Sequence, residues 1–285
     1  HVAQWGTYVT AEEVSKHSAR LRICTQLQYD VELHRPDSVR QDDGTYAVFE
    51  QEIIPLDVDV ILRSRLVDAD GDVVGEAVSE HRVMPAVPDE AEQEILLENP
   101  NLWSIDTPYI YKVETILQDK ATGKVLDTYC TPLGIRTFRF DEQKGFILNG
   151  EQVKINGVCM HHDLGCLGAA VNIRAIRRQL EILKEMGCNG IRCSHNPPAP
   201  ELLDLCDRMG FIVMDETFDM WRKKKTRHDY SRYFDEWHER DLTDLILRDR
   251  NHPSVFVWSI GNEVLEQWAD AKADTLSLEE ANLVL

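Results

Sequence analysis

Apolar and polar residues alternate with period two through much of the first half of the chain. Leu21, Ile23, Leu27 and Tyr29 interleave with Arg20, Arg22, Gln26 and Gln28, as in a strand with one buried face. Val58, Val60, Leu62 and Leu66 repeat the pattern up to a turn at Ala69–Asp72. Tyr109, Tyr111, Val113 and Leu117 repeat it before a second turn at Ala121–Lys124. Short strands separated by turns, with no helical period of useful length between them, predict a β-sandwich. The polar residues from His34 to Thr45 read as an exposed loop. The run DADGD (Asp68–Asp72) is a hairpin turn and not a calcium loop. Such a loop needs Gly at its sixth position and Glu at its twelfth, where this chain has Val73 and Ser79.

Near Gly134 the pattern changes. GIRTFRF leads into FILNGEQVKI, in which Asn149-Gly150 is a tight-turn signal. Strand and helix periods then alternate. Strands are predicted at Val153–Val158, Gly190–Cys193, Phe211–Glu216 and Ser254–Ser259. Helices are predicted at Ile173–Met186, Glu201–Met209 and Phe234–Asp249. That alternation implies βα units and a parallel sheet.

Polar residues gather just after each of these strands. They are His161, His162 and Asp163, then Ser194, His195 and Asn196, then Asp215, Glu216 and Asp219, and finally Asn262 and Glu263. In a (β/α)8 barrel, catalytic residues sit at the C-terminal rim of the strands. Four clusters in register therefore favour an active-site rim over helix capping. The last cluster is the sharpest: the apolar run Val255–Trp258 passes through Ser259-Ile260-Gly261 and delivers an amide and a carboxylate side by side. Adjacent His161 and His162 make a poor metal pair, because neighbours on a strand point to opposite faces.

Charge narrows the ligand class. With 31 basic and 50 acidic residues the formal charge is -19, which argues against a nucleic-acid partner and for a neutral or weakly charged ligand. The basic run Arg222–Arg227 (RKKKTR) reads as a solvated loop. No window approaches the roughly 20 apolar residues of a membrane span, so no membrane partner is expected. The opening HVAQWGTYVT has neither a basic nor an apolar leader region and no start Met. The chain is thus expected to begin in mid-protein, with its location, cytoplasmic or periplasmic, left open. Seven cysteines with no CxxC spacing read as buried reduced thiols, Cys193 beside Arg192 among them.

Two segments, IRCSHNPPAPELLDLCDRMGFIVMDE (Ile191–Glu216) and RDRNHPSVFVWSIGNE (Arg248–Glu263), resemble the signature segments of glycoside hydrolase family 2. That family includes β-galactosidases, β-glucuronidases and β-mannosidases. KINGVCMHHDLG (Lys154–Gly165) is similar to the segment preceding them, and its HHDLG looks most like the β-galactosidase branch. NPNLWSIDTPYIY (Asn99–Tyr111) and GIRTFRF are similar to the end of the family's immunoglobulin-like domain. The resemblance implies an immunoglobulin-like sandwich over residues 1–138, its first few residues a linker from a sugar-binding domain, and the first half of a (β/α)8 barrel over residues 139–285. It implies retaining hydrolysis of β-D-galactosyl residues, with Glu263 as general acid/base and Asn262 on the sugar's 2-hydroxyl. A β-glucuronidase, a β-mannosidase and a non-catalytic carbohydrate-binding relative remain alternatives.

The other carried-over residues are His161 near the sugar ring, and Arg192 and His195 shaping the site, with Arg192 a candidate to hold the nucleophile. An ordinary hydrogen-bonded rim role is the alternative for either histidine. Asp219 and Trp221 are further candidates to reach the sugar, one by hydrogen bonding and the other by stacking. Two departures stand out. Some family members bind magnesium through a Glu and a His shortly after the third strand, where this chain has Met220 and Arg222, so no metal or other cofactor is expected. The family takes its nucleophile from strand seven, which lies beyond the segments recognised here. Glu266, Asp270, Asp274, Glu279 and Glu280 fall in a helix-like stretch at the wrong place. The expected partner is a carbohydrate, with a homo-oligomer of the full-length enzyme left open.

Overall fold

The computed structural model describes residues 1–30, 37–40, 46–49 and 57–265. Among the described residues, nine strands come first: β1 (Val2–Glu12), β2 (Ser18–Leu27), β3 (Asp37–Arg40), β4 (Tyr46–Phe49), β5 (Val58–Val67), β6 (Val73–Val83), β7 (Asp89–Glu98), β8 (Tyr111–Asp119) and β9 (Val125–Leu133). One antiparallel sheet has the order β1-β2-β7 and the other β6-β5-β8-β9, with β3 and β4 a separate hairpin. Tyr29 and Tyr109 fall just outside the strands that their spacing suggested. Asp37–Arg40, within the stretch expected to be loop, is strand β3; its four residues are too short for a period to show. The rest of that stretch lies outside the described residues. The first few residues, expected to be a linker, already belong to β1, whose Val2 pairs with Leu27.

The inward faces follow the period-two reading. Ala19, Leu21, Ile23 and Leu27 of β2 are buried, as are Ala91, Ile95 and Leu97 of β7 and Val113 and Leu117 of β8. The core is nevertheless divided into two apolar clusters. Thr7, Thr25, Ser64, Gln93, Thr115 and Thr131 are also buried inward-facing residues of the sandwich strands. Gln93 donates to the Leu62 carbonyl and the Ser79 hydroxyl. The five hydroxyls have no partner among the described residues.

A small antiparallel sheet comes next, made of β10 (Phe138–Asp141), β11 (Gly145–Leu148) and β12 (Glu151–Gln152). Positive φ at both Asn149 (51°) and Gly150 (86°) makes the expected tight turn between β11 and β12. Phe138, Phe140 and Phe146 pack with Phe256 of the next sheet.

The remaining elements are β13 (Gly157–His161), α1 (Ile173–Glu185), β14 (Gly190–Ser194), α2 (Pro200–Met209), β15 (Ile212–Glu216), α3 (Phe234–Asp249) and β16 (Val255–Ser259). The four strands pair in parallel in sequence order, so the chain is a β-sandwich followed by the first half of a (β/α)8 barrel. Residues 266–285, including the acidic residues of the helix-like stretch, lie outside the described residues. Strand β13 begins later than its apolar pattern suggested. Val153 bonds back to Phe146, and the Asn189 side chain bonds the Asn156 amide and the Lys154 carbonyl, so 153–156 is a connection and not a strand. Asn172 caps α1 by accepting from Ala175, and Gly210, left-handed at φ 69°, ends α2. No helix among the described residues is long and apolar enough to cross a membrane.

Sandwich and barrel are joined by polar contacts beneath the sheet. Trp103 donates to the Asp207 carbonyl, and the half-buried Arg136 donates to the carbonyls of Pro253 and Val255. Desolvation pushes the Arg136 guanidinium down to about 10, and the charge of Asp207 offsets it only in part. On the other side Asn251 bonds both the Val9 amide and the Thr7 carbonyl, and Arg250 donates to the Trp5 carbonyl.

Candidate active site

Parallel strands with period-two side chains send alternate residues to opposite faces of the sheet. On one face Ile191 and Cys193 of β14, Val213 of β15 and Val255 and Trp258 of β16 pack against α1 and α2. The other face carries Cys159, Arg192 and Glu216, ending near His161. A register shift lets β16 fit both demands: Val213 pairs with Val255 but Met214 with Val257, so Ser259 arrives opposite Glu216.

Glu216 is the hub of the rim. Its side chain is fully buried (0 % exposed), yet four donors reach it. Arg192 Nε and Nη2 give bonds of 3.0 and 2.7 Å to Oε2, Ser259 Oγ one of 2.6 Å to the same oxygen, and His195 Nδ1 lies 2.7 Å from Oε1. Full burial and these bonds to Arg192, Ser259 and His195 suit Glu216 to anchoring the rim. Arg192 spends the same Nη2 on Asn262 Oδ1 at 2.8 Å. Burial works against the charge on Arg192, but its bonds to Glu216 raise its proton affinity above the usual guanidinium range. Through Nη2 Arg192 orients Asn262, while its Nη1 lies 3.8 Å from Cys159 Sγ.

Asn262 is the second junction. Its Nδ2 donates to Asp219 Oδ1 at 2.9 Å, so one amide hydrogen and the side-chain oxygen are committed, and the second hydrogen has no partner among the described residues. Asp219 also takes Lys225 Nζ at 2.7 Å. Partial burial alone would raise the Asp219 carboxyl, but these two bonds together hold it below its usual range.

Glu263 follows in a left-handed conformation, φ 43°. It sits between two fixed neighbours, since Asn262 is bonded as above and Val264 is buried with Phe218, Trp221 and Phe234. Its own side chain is exposed and makes no hydrogen bond among the described residues. Gly261 has a different role from the one its position suggests. The backbone turns at Glu263, whereas Gly261 supplies space: a Cβ there would fall 2.6 Å from Val264 Cγ2 and 2.9 Å from Trp221 Nε1.

The structure thus brings Arg192, His195, Asp219, Asn262 and Glu263 together, with the His161 ring edge-on to His195 at 5.1 Å between centroids. Trp221 is placed elsewhere. It is 2 % exposed, stacks on Phe234 and donates Nε1 to the Ile260 carbonyl, so it supports the Asn262–Glu263 turn from below and offers no face to a sugar. Sequence reasoning named Glu216 only as part of a polar cluster. Its parity with Met214, opposite to that of Asp215, was the signal that would have turned it inward. The basic run also departs from expectation: Arg222 and Lys224 are exposed, but Lys225 is mostly buried. Two of the seven free cysteines are buried, Cys193 and Cys206; Cys130, Cys159 and Cys166 are exposed. Met220 is buried and Arg222 pairs with Asp235, so neither presents a metal-ligand oxygen or nitrogen to the rim.

Comparison with known families decides what this rim belongs to. The profile described as Glycosyl hydrolases family 2, TIM barrel domain, matches residues 141–280, and that described as Glycosyl hydrolases family 2 matches residues 40–136. The chain belongs to glycoside hydrolase family 2. It is 60% identical over 285 residues to Beta-galactosidase BoGH2A of Bacteroides ovatus, matching 100% of this chain and 31% of that protein. It is 32% identical to a Beta-glucuronidase of Formosa agariphila over 97% of this chain and 25% of that one. A solved glycosyl hydrolase family 2 member from Bacteroides cellulosilyticus superposes with a TM-score of 0.82 at 35% identity, covering 99% of this chain and 32% of its own. The chain therefore spans about a third or less of the length of these family 2 relatives.

Proposed function

We propose that this chain is the sandwich and first half-barrel of a retaining β-glycosidase acting on terminal β-D-galactosyl residues, with Glu263 as general acid/base. The observation that carries the reading is the Asn262–Glu263 pair, clamped on both sides with one carboxylate left free. Retaining hydrolysis needs a carboxylic acid that protonates the departing oxygen and then, ionised, activates water. An exposed, unpaired carboxylate between rigid neighbours suits that exchange. The second amide hydrogen of Asn262 suits a sugar hydroxyl beside the reacting carbon, and His161 and His195 line the approach. The nucleophile is a second carboxylate about 5 Å from the first in such enzymes. Glu216 and Asp219 are both committed to protein donors, so we place the nucleophile on chain outside the described residues.

The β-galactoside reading is supported by the 60% identity to BoGH2A. The test is proton NMR of the full-length enzyme hydrolysing an aryl β-galactoside. The β-anomer of galactose is expected first, with mutarotation following. First appearance of the α-anomer, or faster turnover of the matching β-glucuronide, would overturn the reading. A full-length protein that binds galactosides without cleaving them would support the non-catalytic alternative.

A further inference from the structure

The loop between β15 and α3 delivers a mostly buried ammonium to the rim. Lys225 Nζ lies 2.7 Å from Asp219 Oδ1, 2.7 Å from the Asp219 carbonyl and 2.6 Å from the Asn262 carbonyl. An ammonium has three protons, and these three oxygens take one each. No donor is left over for a ligand, so Lys225 acts on the protein itself. The Asn262 carbonyl belongs to the peptide that joins Asn262 to Glu263, and the plane of that peptide sets the direction in which Glu263 leaves the backbone. Asp219, the other partner of Lys225, holds the Asn262 side chain.

The loop is organised to present this one residue. Asp229 Oδ2 accepts from the amides of Lys225 and Thr226, each at 2.7 Å, and Asp229 Oδ1 accepts from Ser231. Partial burial opposes ionisation there, but the bonds from Ser231 and the two amides hold the Asp229 carboxyl down to about 2. Tyr230 stacks on Phe218, the neighbour of Asp219, with ring centroids 5.2 Å apart.

We propose that Lys225 is a positioning residue for Glu263: its ammonium locks the Asn262–Glu263 peptide and Asp219 together, fixing the direction of the acid/base carboxyl. This rests on the acid/base role of Glu263 proposed above. A misplacement of about 1 Å can cost 10²-fold in rate. In the full-length enzyme, Lys225→Ala is expected to lower kcat/KM for methyl β-galactoside by about 100-fold. For 2,4-dinitrophenyl β-galactoside, whose leaving group needs no proton, the expected loss is less than about tenfold. Ethylammonium, which can refill the three-oxygen cradle, should restore much of the loss on the methyl substrate. Tetramethylammonium, equal in charge but without N–H donors, should not. Lys225→Gln, which keeps part of the side-chain packing, should show the same contrast between substrates.

Losses equal on both substrates in both variants, or activities within about twofold of wild type, would overturn the inference. So would equal rescue by the two ammonium ions, which would report ionic strength and not hydrogen bonding. An enzyme inactive before any substitution would instead contradict the function on which the inference rests, so the two failures are separable.

Discussion

Gly261 and Trp221 lie so close that a methyl group on the glycine would sit 2.9 Å from the indole nitrogen. That nitrogen is already bonded to the Ile260 carbonyl at 2.8 Å. Gly261→Ala is therefore expected to push the indole or Val264 aside, at a cost of about 1–3 kcal/mol in stability. The displaced turn carries Glu263, so catalytic activity should fall with stability. Thermal unfolding and kcat measured on the same variant check this. An unchanged melting temperature would show that the close approach relaxes freely.

Glu216 holds Arg192, His195 and Ser259 from a fully buried position, so its charge organises the rim. Glu216→Gln keeps the shape and removes the charge, leaving Arg192 and His195 without an ionised partner. Stability is expected to fall by on the order of 3 kcal/mol. A change below about 0.5 kcal/mol in a urea titration would mean that the hub contributes little.

The halves of the fold differed in how far pattern alone could carry them. The sandwich strands and the βα units were legible because burial on one face writes a period into the sequence, as at Leu21-Ile23 or Ile176-Leu180 of α1. The start of β13 was not, because Val153 is apolar for a different reason: it pairs back toward β11. In the site, Asn262-Glu263 was legible from a strand that ends abruptly in polar residues. Lys225 was not, since a lysine in a run of basic residues looks like solvent-facing charge until the fold brings Asp219 and Asn262 around it. The burial of Trp221 was hidden in the same way, because its partners Phe234 and Val264 lie far along the chain.

Thr115 is buried in the sandwich, and its hydroxyl has no partner among the described residues. Thr115→Val keeps the shape and removes an unpaired polar atom. It is expected to raise stability by about 1 kcal/mol, read as a higher melting temperature. A lower one would show that the hydroxyl is satisfied in solution.

Asp215 points away from the site toward α3, fully buried. Burial first, and then the neighbouring charge of Asp249, push its carboxyl up from 3.8 to about 8. Between those two values the folded chain keeps a proton that the unfolded chain releases. Stability from this group is therefore complete below about pH 4 and declines as the pH rises to about 8. Asp215→Asn should flatten that decline relative to wild type when urea midpoints are compared at pH 5 and pH 8. Parallel curves for the two proteins would show that Asp215 is ionised throughout.

The position of Met220 and Arg222 leads to an expectation about metals. With Met220 buried and Arg222 paired to Asp235, these positions supply no ligand oxygen or neutral nitrogen. Dialysis of the full-length enzyme against a chelator should change kcat by less than about twofold. Loss of activity restored by magnesium would require ligands elsewhere.

The most direct measurement is the azide response of Glu263→Gln in the full-length enzyme. An acid matters in proportion to the leaving oxygen's need for a proton, so the variant should lose far more activity on alkyl β-galactosides than on dinitrophenyl β-galactoside. On the activated substrate the glycosyl-enzyme should form and then stall for want of a base. Azide needs no base, and its addition should restore turnover and release a β-galactosyl azide. An α-azide, or equal losses on both substrates with no rescue, would contradict the acid/base role of Glu263.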